Sequence, residues 1–140
     1  MKSRLIYWLT YAGMWLLALL PFKALYALSD GLCFLMHHVV HYRRRVVRTN
    51  LRHAFPEKSE TELRDIERGF YRYICDYMLE EVKMLRMSFK ELCRRMEYDN
   101  KEEYLAMIEK HGGIVLLIPH YANFEWITGM SSIMQEGDIP

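Results

Sequence analysis

Between Leu5 and Leu20 the chain reads LIYWLTYAGMWLLALL, sixteen residues without a charge. Immediately around Tyr42–Arg52 the balance reverses, with five arginines and no acid. A long uncharged run followed by a basic cluster points to a membrane surface rather than to a freely soluble protein. As a helix the run is about 24 Å long, short of the ~30 Å hydrocarbon core of a bilayer. Extension to Leu28 gives sufficient length but takes in Pro21 and Lys23. Proline is tolerated in membrane helices, and a lysine can extend its amine to the headgroups. Tyr7, Trp8, Tyr11 and Trp15 fit an interfacial aromatic belt. A transmembrane helix and an in-plane anchor are both compatible with this pattern.

A cleaved signal peptide is the competing reading, because Lys2 and Arg4 precede the apolar run. No A-x-A cleavage site follows and the next segment stays apolar, so a retained anchor is expected. The larger basic cluster lies downstream, which places the downstream side in the cytoplasm. The three cysteines, Cys33, Cys75 and Cys93, have no CxxC spacing and read as buried or idle thiols in a reducing compartment. A net charge of +1 gives no argument for nucleic acid, and no such partner is expected.

Residues 22–42 read as a second apolar helix ending in MHHVVHY. His37 and His41 are four apart, a spacing able to bind a metal on one helix face, but no nearby carboxylate or cysteine completes the set. They read as interfacial histidines, and no metal site is expected. In the following stretch, Arg43, Arg44, Arg45 and Arg48, with Arg52, are candidates to bind anionic headgroups. A plain juxtamembrane basic flank is the alternative.

Beyond Phe55-Pro56 the sequence turns to amphipathic helices. Ser59–Glu62, Ser88–Glu91 and Asn100–Glu103 each carry the spacing of a capping box. Leu63, Ile66, Phe70, Tyr73, Tyr77 and Leu85 predict a core-facing stripe on a helix over residues 60–87. Gly112 and Gly113 end the last of these helices. The aliphatic run IVLLI at 114–118, bounded by Gly-Gly and Pro119, predicts a buried strand of an α/β sheet. PHYANFEWITGM follows, leading into an apolar helical segment that reaches about Met134. Ligands of α/β folds bind in loops at the carboxyl ends of strands, which is where this one lies.

His120 leaves the predicted strand in that loop, and Glu125 follows five residues later at a helix start. Five residues is poor contact spacing on one helix, but a turn can fold the carboxylate back on the imidazole, fixing its tautomer and leaving a free basic nitrogen. Asn123 is placed to cap the helix or hold the loop. The nearest serines, Ser131 and Ser132, come only in the following helix. That suits a direct transfer in which a substrate hydroxyl attacks and His120 removes its proton. Spacing alone still favours the plainer reading, a loop histidine followed by a glutamate favoured by the helix dipole.

The motif HYANFEW resembles the H-x₄-[D/E] motif of glycerolipid-type acyltransferases. With Asn123, Glu125 and Trp126 it is more similar to the H-x-x-N-[FW]-E form of the bacterial lipid A late acyltransferases, the lauroyl and myristoyl transferase family. The apolar N-terminus, the stretch RRRVVRTNLRHAFPEKSETE and the approach GGIVLLIPH agree with that resemblance, which covers most of the chain. It implies membrane-anchoring helices over 1–42, then the incomplete N-terminal portion of an α/β acyltransferase domain over 43–140, helix-rich in this part. It implies His120 as general base, Glu125 as its acidic partner, and no metal or organic cofactor. The implied donor is an acyl carrier protein thioester and the implied acceptor is a hydroxyl of a lipid A precursor. The setting would be the cytoplasmic face of an inner membrane. An acyltransferase for another glycolipid or phospholipid, or a non-catalytic membrane adaptor, are the alternatives. Phospholipid-type members usually carry Asp where Glu125 stands.

Overall fold

The computed structural model describes residues 2–129 except Tyr98. The chain divides into two compact units, Met1–Lys83 and Met84–Pro140. The first takes in both the uncharged run and the arginine stretch. Helix α1 covers Lys2–Leu19 and helix α2 covers Phe22–Phe34, with Pro21 capping the second. A proline lacks the N–H that would continue the first helix and sits well at the entrance to the next. The run is therefore cut rather than extended.

No helix among the described residues is long and apolar enough to cross a membrane. The expected transmembrane helix is thus not supported. At 18 residues α1 is about 27 Å long and includes Lys2 and Arg4 in its first turn. Its apolar side chains are nonetheless left largely uncovered, with Leu5, Ile6, Tyr7, Trp8 and Leu9 all 60–64% exposed.

After α2 the chain widens into a π-helical turn, Leu35–Val39, and reverses through His41 and Arg43, both with left-handed backbone (φ 53° and 50°). Helix α3 then runs Arg44–Ala54 and helix α4 Glu60–Met84. The start of α4 is set by its capping box: Ser59 N–H donates to Glu62 Oε2 at 2.8 Å, and Glu62 N–H donates back to Ser59 Oγ at 3.4 Å. Partners along α2 and α4 pair in opposite order. Lys83 lies over the Phe22 ring, Tyr26 donates to Glu80 Oε1 at 2.6 Å, and Arg72 pairs with Asp30 at 3.4 Å. The two helices are therefore antiparallel. Helices α3 and α4 form a second antiparallel pair, with Arg44 and Arg48 meeting Glu67 and Arg52 meeting Glu60.

The face that α4 buries is not the expected one. Leu63, Glu67, Tyr71, Cys75 and Leu79, each four residues apart, are buried. Of the expected stripe only Leu63 is buried, while Phe70, Tyr73 and Leu85 are exposed. Reading apolarity alone skipped Glu67, whose charge is tolerated inside because two guanidinium groups meet it. On α2, Phe22, Leu25 and Ser29 face the same core. Cys75 is fully buried and hydrogen-bonded to Cys33, and burial pushes its thiol up to about 11. Lys83 Nζ closes α1 by donating to the carbonyls of Ala18 at 2.8 Å and Leu20 at 2.7 Å. These are the orphan acceptors that a helix end offers to a cation.

In the second unit, helix α5 covers Phe89–Arg95 and helix α6 covers Lys101–His111. Ser88 caps α5, its Oγ accepting from Glu91 N–H at 3.2 Å, while the Glu91 carboxylate turns to Arg94 and Arg95. Asn100 stands at the cap of α6 without a side-chain cap hydrogen bond. Gly112, at φ 73°, ends α6 as expected. The expected strand does not form: among the described residues there is no strand, and 114–118 is irregular. A strand exists only through hydrogen bonds to a neighbour, and no strand pairing is made among the described residues. Val115 and Leu117 are both 89% exposed, while Leu116 and Ile118 are about half as much so. The described part is thus helix-rich, and the α/β sheet is not seen within it.

Candidate functional site

The chain leaves Ile118-Pro119 through a sequence of local turns. Tyr121 N–H donates to the Pro119 carbonyl at 2.9 Å, closing a three-residue turn centred on His120. Ala122 is left-handed at φ 51°, a conformation that costs an L-residue roughly 1–2 kcal/mol. Such strain collects at functional sites. A 3₁₀ helix, Phe124–Gly129, begins directly afterwards, with Trp126 N–H donating to the Asn123 carbonyl at 3.0 Å. Asn123 therefore stands at the helix start, as expected. Ser131, Ser132 and the helical segment expected up to Met134 lie outside the described residues.

This turn presents His120 to solvent. Its ring meets the edge of Phe124, with centroids 4.5 Å apart and planes at 61°. Among the described residues no hydrogen bond joins His120 to Glu125. The glutamate occupies the first turn of the 3₁₀ helix, with its Oε2 buried. Phe124 is the neighbour the sequence reading left out. An aromatic directly before the acid offered a signal for it, since it can hold the ring while the acid faces inward.

Beside the turn lies a cavity of about 390 Å³. Ile118, Pro119, Tyr121, Asn123 and Trp126 line it from the loop, and Arg95 and Met96 from the end of α5. Trp126 is only 6% exposed, and its indole nitrogen is buried without a hydrogen-bond partner among the described residues. The wall is thus mostly apolar, with an exposed imidazole on the same turn. Arg95 is committed to Glu91 at 2.7 Å. Neither Arg95 nor Met96 carries a motif, and only the fold brings them here.

The candidate arginines divide. Arg44 Nε donates to Glu67 Oε1 at 2.9 Å, and Arg48 Nε to Glu67 Oε2 at 2.7 Å. Burial works against the Glu67 charge, but the hydrogen bonds from Arg48 and Arg44 outweigh it and hold the carboxyl below the ordinary carboxylate range. His37 completes this cluster, its Nε2 3.4 Å from Glu67 Oε1. Burial and then the His38 and Arg44 charges push its pKa down, and Glu67 opposes them only in part. His37 meets His38 and Glu67 rather than His41, and no metal-ligating cluster occurs among the described residues. Arg43 and Arg45 have no ionic partner among the described residues.

Residues 1–137 match the model of a family described as bacterial lipid A biosynthesis acyltransferase. The chain belongs to that family. It is also 28% identical over 122 residues to the lipid A biosynthesis lauroyltransferase of Escherichia coli (strain K12). The match covers 85% of this chain and 40% of the relative, so the chain spans less than half the length of that acyltransferase. No solved structure matches it. The match of this lipid A acyltransferase family includes both the helical first unit and the turn that carries His120.

Proposed function

We propose that the protein transfers a fatty-acyl chain from an acyl carrier protein thioester to a hydroxyl of a lipid A precursor. The observation that carries the reading is the exposed imidazole of His120 on a constrained turn beside an apolar cavity, in a chain of this family. The acceptor hydroxyl attacks the thioester carbonyl while His120 takes its proton. Collapse of the tetrahedral intermediate expels the thiolate, which recovers that proton. No acyl-enzyme forms. Base catalysis of this kind contributes ~10²–10⁴-fold, with positioning supplying much of the rest.

Glu125 is the acidic partner in this reading, stabilising the imidazolium once substrate closes the loop. Catalytic contacts that are long in a free site commonly shorten in the complex. Asn123 holds the loop by its place at the helix start. The exposed apolar side chains of α1 suit a helix lying in the bilayer interface rather than crossing it, and the reaction takes place at the cytoplasmic face of the inner membrane.

The test is acyl transfer by membranes carrying the protein, with whatever native sequence flanks these residues, beside a His120→Ala copy. Acyl carrier protein thioester is the donor and a lipid A precursor the acceptor. Transfer should fall by at least ~10²-fold in the variant. Equal transfer by both would remove His120 from the mechanism, and no transfer by either would reject the acceptor.

A further inference from the structure

The first unit contains a cavity of about 550 Å³ that the proposed chemistry does not use. Its size is within the ~300–1,000 Å³ typical of small-molecule sites. Met36, Val47, Phe70, Ile74 and Met78 supply its apolar wall. Phe70 is 40% and Met78 51% exposed, so the wall continues outward as uncovered hydrocarbon. The polar side chains in the lining are few: Arg43, Asn50 and the tyrosines at 42 and 71. Tyr71 is already engaged, its hydroxyl donating to the Tyr42 carbonyl at 2.5 Å.

Arg43 is the distinctive group. Arg44, Arg48 and Arg52 each hold a carboxylate of α4. Arg43 sits at the left-handed corner before α3 and has no such partner among the described residues. Arg43 lines the cavity, as does Asn50 about two turns further on, in α3. An unpaired guanidinium fork recognises phosphate by paired N–H donors, and a carboxamide adds another donor. A hydrocarbon trough with these groups beside it complements an amphiphile that has one apolar chain and a phosphate head.

We infer that this cavity seats an anionic glycerophospholipid of the bilayer, its phosphate held by Arg43 and Asn50 and one acyl chain lying between Val47, Phe70, Ile74 and Met78. The source is the membrane surface rather than the reacting substrates. The site does not depend on the acyl-transfer reading, because every group it uses belongs to the first unit.

Photocrosslinking tests it. The intact protein is bound to phosphatidylcholine vesicles doped with phosphatidylglycerol bearing a photoreactive acyl chain, or with the matching phosphatidylcholine probe, and labelled residues are mapped by mass spectrometry. Phosphatidylglycerol should label the cavity residues preferentially, with labelling of α1 reporting membrane attachment in every sample. Arg43→Gln should lower the cavity labelling by about fivefold, the effect of one near-surface charge. Arg45→Gln, which alters the same net charge outside the cavity, should leave the cavity signal in place. Val47→Trp should fill the trough and abolish cavity labelling while α1 labelling persists. Met78→Trp at the rim serves the same purpose should Val47→Trp not fold.

Equal labelling by the two probes, equal losses in Arg43→Gln and Arg45→Gln, or labelling that survives both tryptophans would overturn the assignment. His120→Ala should leave all labelling unchanged, which separates this site from the fate of the transferase reading.

Discussion

Replacing Glu67 by glutamine asks whether the arginine stretch is committed to the fold. Glutamine preserves volume and one acceptor oxygen but removes the charge and presents an NH₂ group to one of the arginines. Glu67 is 2% exposed and receives Arg44 Nε at 2.9 Å and Arg48 Nε at 2.7 Å. A hydrogen bond to a charged group contributes ~1.5–3 kcal/mol, and breaking a fully buried ion pair costs ~3–5 kcal/mol. Arg44 and Arg48 are 32% and 39% exposed, so they recover part of their hydration by turning outward. The expected loss is therefore about 2–3 kcal/mol, below the fully buried limit. For a unit of this size that corresponds to a fall in Tm of roughly 10–20 °C. Thermal melting of the intact protein, followed by helical circular dichroism, reads it. A cycle with Arg48→Ala should show the two changes to be non-additive. A loss under about 0.5 kcal/mol, the range of ordinary surface changes, would refute the argument and return both arginines to the pool available for ligands.

The same cluster predicts an acid-side loss of stability. His37 and Glu67 both have folded pKa values below their ordinary ones, so the unfolded chain takes up their protons first and stability falls as pH falls. Tm should hold above the ordinary imidazole value of 6.5, decline below it, and decline further below the ordinary carboxylate value of 4.5. His37→Gln should lose the first decline, and a Tm that rises on acidification would contradict the sign. Cys75, buried with its thiol pushed up to about 11, should resist alkylation at neutral pH until the chain unfolds. Labelling at a free-thiol rate in the folded protein would count against that burial. Ala122→Gly should stabilise the second unit slightly by relieving the left-handed backbone, whereas Ala122→Val should cost roughly 1–2 kcal/mol. Paired melting curves decide, and a destabilised glycine variant would show that the turn is held open for other reasons.

Local signals in the sequence translated well where one residue decides. Ser59 and Ser88 cap helices as their spacing required, Gly112 ends α6, and Asn123 stands at the entrance to the 3₁₀ helix. Signals that depend on a distant partner translated less well. IVLLI has strand composition, but a strand needs a neighbour, and none accompanies it among the described residues. The α4 stripe was misread by aromatic content, because burial of Glu67 depends on arginines some twenty residues away. For the candidate site, the loop and the positions of His120, Asn123 and Glu125 were legible from the motif. The Phe124 contact and the α5 side of the cavity were not, since no local pattern specifies which helix end closes over a loop.

The pairing of α3 with α4 also changes how the unit responds to ionic strength. Five arginines in one short stretch suggest attachment to an anionic bilayer that salt would readily dissolve. Three of them are already paired with the two carboxylates of Glu60 and Glu67, leaving one excess positive charge there, with Arg43 and Arg45, to meet mobile counterions. Screening acts chiefly on exposed, unpaired charge. Attachment through this unit should therefore weaken only modestly as salt is raised, with the uncovered hydrocarbon of α1 carrying what persists.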